Sequence, residues 1–242
     1  NLLVLFPGVR NDFNQYVILA ENLKIPQCCY LILQAPTELP FSSGWCWYPI
    51  FDSNAEFIPA TPNERTRLSG LKKSRRVIFK LLETLRSKYS WETPNIFFLG
   101  FSQGATAAID VALHSRALDQ RPIGGVVAIS DSIFEEALIR GFVEPYPERT
   151  KFPSSLPPIF ISHGIRDQRN SLQKAKEKHQ VLSSLYSSVN SPNDSIEWNT
   201  FDKGHQMIST KQEAEAILRF LSKRMVIRSV AVENIPGVIA LN

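Results

Sequence analysis

The chain has 242 residues, 43% of them hydrophobic and 21% charged, with a formal net charge of +4. Its length suits one α/β domain with a single core better than two tandem domains. No apolar run approaches the ~20 residues of a membrane-crossing helix, and the small charge excess is read as a solvated face rather than a surface for nucleic acid or anionic membrane.

The first element in the chain is Leu2–Phe6, a continuous apolar run ended by Pro7-Gly8, which predicts a fully buried parallel strand feeding a turn. Asp12 is placed to cap a helix whose apolar residues Phe13, Tyr16, Val17, Ala20 and Leu23 recur at helical spacing before Pro26. A second strand is expected at Cys29–Leu33. The segment from Gln34 to about Asn63 carries five prolines together with Trp45, Trp47, Tyr48 and Phe51. A loop this long inside a compact domain is expected to be functional, and its aromatic content argues against disorder. It is read as a substrate-covering loop.

A long amphipathic helix is predicted over Glu64–Tyr89, with Leu68, Leu71, Ile78, Leu82, Leu85 and Tyr89 on its apolar face. Lys72, Lys73, Arg75 and Arg76 are expected on its solvated face. Ile96–Leu99 reads as a buried strand, and Ala105–Leu113, rich in alanine, as a helix packed close to a sheet. Further strands are predicted at Ile123–Ile129, Pro158–Ser162 and Ile196–Phe201. Helical pieces are expected at Phe134–Ile139, Ser171–Ser187 and Lys211–Met225, and a Pro-rich connection spans Glu144 to Pro158. This alternation implies a mostly parallel sheet with helices on both faces and right-handed crossovers. One domain is expected over residues 1–225, with 226–242 as an apolar extension.

Between the strand at Ile96 and the helix at Ala105 stands Gly100-Phe101-Ser102-Gln103-Gly104, a Gly-x-Ser-x-Gly sequence. In a nucleophile elbow a serine occupies a sharp strand-to-helix turn, and the flanking glycines are needed because a Cβ would collide with neighbouring backbone. A turn with a serine N-cap would give the same five letters, so a base and an acid must be found elsewhere. A serine hydroxyl attacks only when a base takes its proton, and that base needs an acid to hold its tautomer. Asp167 and His205 each follow a strand and come after Ser102 in the order serine, acid, histidine. Parallel strands open these three loops on one edge. His163 remains an alternative base, and Asp131 and Asp202 remain rival acids. His114 and His179, on helices, are expected to be packing or surface residues. An oxyanion requires backbone donors. Gln103, after the nucleophile, and Val9, in the turn after the first strand, are the expected pair.

Gly100–Gly104, His163-Gly164-x-x-Asp167, Gly204-His205 and the tryptophan loop at Trp45–Phe51 together resemble the phospholipase/carboxylesterase family of α/β-hydrolases, which includes the acyl-protein thioesterases. The resemblance covers roughly Leu2 to Arg224. It implies an α/β-hydrolase fold, with Ser102 as nucleophile, Asp167 as acid, His205 as base, and the amides of Val9 and Gln103 as oxyanion donors. Where the family usually has His-Gly-Leu-Gly-Asp after the first strand, this chain has Pro7-Gly8-Val9-Arg10-Asn11, which sets Arg10 beside the site. Arg10, Trp45, Trp47 and Tyr48 are expected to contact substrate.

The expected activity is cleavage of carboxylic esters or thioesters with no metal or organic cofactor, on a small-molecule ester or an acylated protein or lipid. No nucleic-acid partner is expected. The alternative is a catalytically silent hydrolase-fold protein that binds a ligand or partner. Cys28, Cys29 and Cys46 form no zinc or disulfide framework, so a reducing, cytoplasmic setting is expected. No signal peptide is visible, although the chain opens inside a strand without an initiator methionine.

Overall fold

The run Leu2–Phe6 forms β1, and its side chains divide between two layers. Leu2, Val4 and Phe6 pack in one core cluster and Leu3 and Leu5 in the other, as a period of two requires in a strand covered on both faces. The computed structural model describes residues 1–40, 42–61, 65–115, 121–139, 156–188 and 195–227. The tail from 228, most of the Pro-rich connection after Glu144, and Asn193-Asp194 fall outside the described residues.

After β1 come α1 (Phe13–Leu23), β2 (Cys29–Ile32), β3 (Thr37–Glu38), β4 (Trp45–Cys46), α2 (Thr66–Tyr89) and β5 (Ile96–Phe101). The second half holds α3 (Gln103–His114), β6 (Gly125–Ile129), β7 (Ile159–Gly164), α4 (Leu172–Ser187), β8 (Ile196–Phe201) and α5 (Lys211–Ser222). Six strands join in the order β2-β1-β5-β6-β7-β8, and every pair in that sheet is parallel. Residues of α2, α3 and α4 fill the core on one face, and those of α1 and α5 fill the other. This is the expected α/β sheet, covered on both sides.

Strand β5 runs two residues beyond the predicted Leu99 because Gly100 pairs with Phe6 and Phe101 with Ile129. Both neighbours extend the ladder right up to Ser102. The long irregular segment contains the short antiparallel pair β3–β4, with Thr37 opposite Cys46 and Glu38 opposite Trp45. Its two-residue strands carry too little alternation to be read from sequence. Helix α1 buries only Tyr16 and Ala20, leaving Phe13 51% exposed. On α2, Arg75 departs from the expected solvated face: its guanidinium makes two 2.7 Å hydrogen bonds to the buried carboxylate of Asp110 on α3. A helix packed this closely brings its neighbour's acid within reach of a long basic side chain. No helix among the described residues is long and apolar enough to cross a membrane. All three cysteines are free.

Candidate active site

The parallel sheet delivers the ends of β1, β5, β7 and β8 to one edge, and Ser102 stands in the turn between β5 and α3. Its backbone has φ 51 and ψ −124, and its amide donates to the Ile129 carbonyl at 2.8 Å. A non-glycine residue with positive φ is strained, and such strain persists where the surroundings over-determine the conformation. Here they do. A Cβ on Gly100 would lie 2.5 Å from the Gly104 carbonyl oxygen, and one on Gly104 would lie 2.1 Å from that of Phe6 and 2.5 Å from that of Pro7. The two glycines let α3 start against the end of β1. Gly104→Ala is therefore expected to destabilise the protein by about 1–3 kcal/mol or more through overpacking, read as a lower midpoint in denaturant unfolding.

His205 reaches this turn from the loop after β8. Its Nε2 lies 2.9 Å from Ser102 Oγ and its Nδ1 lies 2.8 Å from Asp167 Oδ2. The chemistry assigns the proton to Nδ1, donated to the carboxylate, which leaves Nε2 to accept from the hydroxyl. Asp167 Oδ1 accepts from the amides of Arg169 and Asn170, both at 2.9 Å. Burial alone raises the Asp167 pKa, but the hydrogen bond from His205 and those two amides outweigh it and hold the carboxyl below its ordinary value. The two loops are tied together, since Arg166 donates its amide to the Lys203 carbonyl at 3.0 Å.

The competing residues are engaged elsewhere. His163 is buried and its Nε2 lies 2.9 Å from the Asn170 carbonyl oxygen, so it braces the acid turn. Burial pushes its pKa down. Asp131 pairs with Lys178 at 2.6 Å, and exposed Asp202 pairs with Arg166 at 2.6 Å. His114 bonds back along α3 to the Asp110 carbonyl at 2.7 Å, and His179 stacks on Trp198. Among the described residues, no group of three or more His, Cys, Asp or Glu side chains is arranged to hold a metal ion.

A family model for phospholipase/carboxylesterase matches residues 1–225. The chain belongs to that family. Among curated relatives, an uncharacterised hydrolase of Mycosarcoma maydis is 33% identical over 149 residues, which is 60% of this chain and 54% of that protein. An uncharacterised hydrolase of Schizosaccharomyces pombe is 28% identical over 116 residues, 45% of this chain and 44% of that one. The chain thus spans about half the length of these relatives. Similar solved structures include esterase PE8, at TM-score 0.68 and 19% identity with 93% of each chain covered. Another is an acyl-protein thioesterase 2 from Zea mays, at TM-score 0.66 and 17% identity, covering 92% of this chain and 93% of that one. At such identities the likeness speaks for the α/β-hydrolase fold.

The turn after β1 departs from the usual family sequence, and its geometry shows what the change involves. Arg10 stands where the family usually has a glycine and has φ 60, the left-handed region that favours glycine. The amides of Val9 and Gln103 have no acceptor among the described residues, and the contact of Gly104 with Phe6 and Pro7 sets the two turns side by side.

The tryptophan loop corrects part of the expected binding surface. Trp47 and Tyr48 are 1% and 5% exposed, packed in the core. The Gln103 side chain accepts from the Trp47 amide at 2.7 Å and donates to the Tyr48 carbonyl at 2.6 Å, while Trp47 Nε1 donates to the Pro7 carbonyl at 2.7 Å. These residues pin the loop to the elbow and to the β1 turn. Both rings are buried in the described structure rather than set out on a binding surface. Trp45 and Arg10 remain at the surface. Composition marked the loop as aromatic, but which rings turn inward depends on the partner Gln103 supplies from 55 residues away in sequence.

Proposed function

We propose that this family member is a serine hydrolase of carboxylic esters or thioesters, working through an acyl-enzyme on Ser102. The observation that carries this reading is the pair of hydrogen bonds at His205, which accepts from Ser102 at Nε2 and donates to Asp167 from Nδ1. In the first half-reaction Ser102 Oγ bonds to the acyl carbon while its proton passes to His205 Nε2. The imidazolium that forms is stabilised by Asp167, which stays ionised. The carbonyl oxygen takes up negative charge, and the amides of Val9 and Gln103 donate to it. His205 then gives its proton to the leaving alcohol or thiol as the bond to the acyl carbon breaks. In the second half-reaction water attacks the acyl-enzyme with His205 again as base, releasing the acid and restoring Ser102.

The substrate is a small ester or an acylated protein or lipid. The test is turnover of an oxygen ester and a thioester sharing one acyl group. Both are expected to be hydrolysed by the wild type and neither by Ser102→Ala. Hydrolysis by Ser102→Ala at the wild-type rate would overturn the reading.

A further inference from the structure

Beside the elbow lies a cavity of about 270 Å³, bounded by the turn after β1, the end of β2 and Ser43–Trp45. Pro7 and Gly8 form its wall toward the elbow, so it borders the same turn that carries Val9. Phe13 and Trp45, respectively 51% and 40% exposed, supply apolar faces. Among the described residues that line it, Arg10 is the only charged one.

Three features of Arg10 bear on what the cavity takes. Its guanidinium has neither an ion pair nor a hydrogen-bond partner among the described residues. Around the same sheet edge Lys178, Lys203 and Arg166 are all paired with carboxylates. Arg10 is also held in place: its amide donates to the Trp45 carbonyl at 3.3 Å, and a Cβ on Gly44, where φ is +131, would lie 3.0 Å from Arg10 Cγ. The absence of that Cβ lets the arginine stem lie against the loop. Finally, its left-handed backbone is a strained conformation for an arginine. A planar guanidinium presents a fork of donors that matches a carboxylate bidentately, and a concave, partly apolar wall strengthens that attraction over open water.

We propose that this cavity takes the free carboxylate of a substrate ester, with Arg10 as its ligand, while the ester carbonyl of the same molecule reaches Ser102. The inference rests on the serine-hydrolase reading. The carboxylate takes no part in bond making; it fixes orientation and selects the substrate.

Two matched pairs of esters test it, with the charge on either side of the scissile bond. The mono-p-nitrophenyl ester of glutaric acid is compared with p-nitrophenyl valerate, and 4-acetoxybenzoate with phenyl acetate. The wild type is expected to favour the charged member of at least one pair in kcat/KM. That ratio is expected to fall about 10- to 100-fold in Arg10→Gln, the range for a lost charge-assisted hydrogen bond, and less in Arg10→Lys. Added salt should also lower the wild-type ratio, a readout that does not depend on any variant folding. Ser102-dependent turnover of the neutral esters with no charge preference in either pair would overturn this inference and leave the hydrolase reading standing. A preference unchanged in both Arg10 variants would overturn it too. Failure of the wild type to hydrolyse any of the four would sink both.

Discussion

Replacing His205 with alanine is expected to lower kcat for an ester by about 10³-fold or more. Among the described residues the imidazole is the one side chain hydrogen-bonded to the Ser102 hydroxyl, with Nε2 at 2.9 Å. Removing it leaves an unactivated hydroxyl beside the proposed oxyanion donors, so a residual rate above water should survive. Asp167→Asn should also cost about 10³- to 10⁴-fold, because an amide can present its NH2 to Nδ1 and favour the wrong tautomer. The loss in each case should fall on kcat more than on KM, since in the proposed mechanism both residues act on charge that develops in the transition state. His163→Ala provides the internal comparison. Its ring braces the acid turn through the Asn170 carbonyl, so its effect should be smaller than that of His205→Ala. A larger effect would transfer the base role to His163.

Lys203→Met is expected to cost about 3–5 kcal/mol of stability, the range for removing one member of a buried ion pair. Lys203 and Glu213 lie 2.5 Å apart, with side chains 1% and 0% exposed. The ammonium also donates to the carbonyls of Gln206 and Met207 at 3.0 and 3.2 Å. Glu213 accepts in addition from the Ser162 hydroxyl and, at 3.1 Å, from the Ser209 amide. Burial pushes the lysine pKa down, with Glu213 opposing the shift. The cluster ties the loop carrying His205 to β7 and to the first turn of α5. Loss of the lysine leaves a buried carboxylate short of a donor and takes one from the Met207 carbonyl, while the Gln206 carbonyl keeps the Ser130 hydroxyl at 3.2 Å. Lys203→Met combined with Glu213→Leu should recover most of the stability, because replacing both partners removes the stranded charge. Activity should stay low in the double variant, since the loop beside His205 is still untied. Denaturant unfolding and kcat on the same preparations separate the two effects.

The parts of the site that could be read from the sequence are those whose physics is local. A glycine two residues either side of Ser102 marks a turn where a Cβ cannot fit, and the contacts at Gly100 and Gly104 give that its steric content. The order Ser102, Asp167, His205 at the ends of β5, β7 and β8 follows from the parallel sheet, and the three side chains meet in one hydrogen-bonded chain. What escaped depends on partners distant in sequence. Lys203 stands in a polar turn of the sequence, yet Glu213 and two carbonyls draw it inside. Trp47 and Tyr48 have the composition of a binding surface, but Gln103 and Ser74 fasten their backbone inward. Arg10 was legible as a charge beside the site. Its left-handed backbone and the cavity it borders depend on Gly44 and Trp45, which no local pattern connects to it.

Covalent labelling by a fluorophosphonate probe tests most directly whether Ser102 is an activated nucleophile. The probe phosphonylates a serine only when a neighbouring base activates it and donors receive the developing charge. The folded wild type is expected to gain one label per chain, mapped by mass spectrometry to the peptide containing Ser102, with Ser102→Ala unlabelled. A folded wild type that takes up no label, or a Ser102→Ala variant labelled as fully as the wild type, would contradict the account.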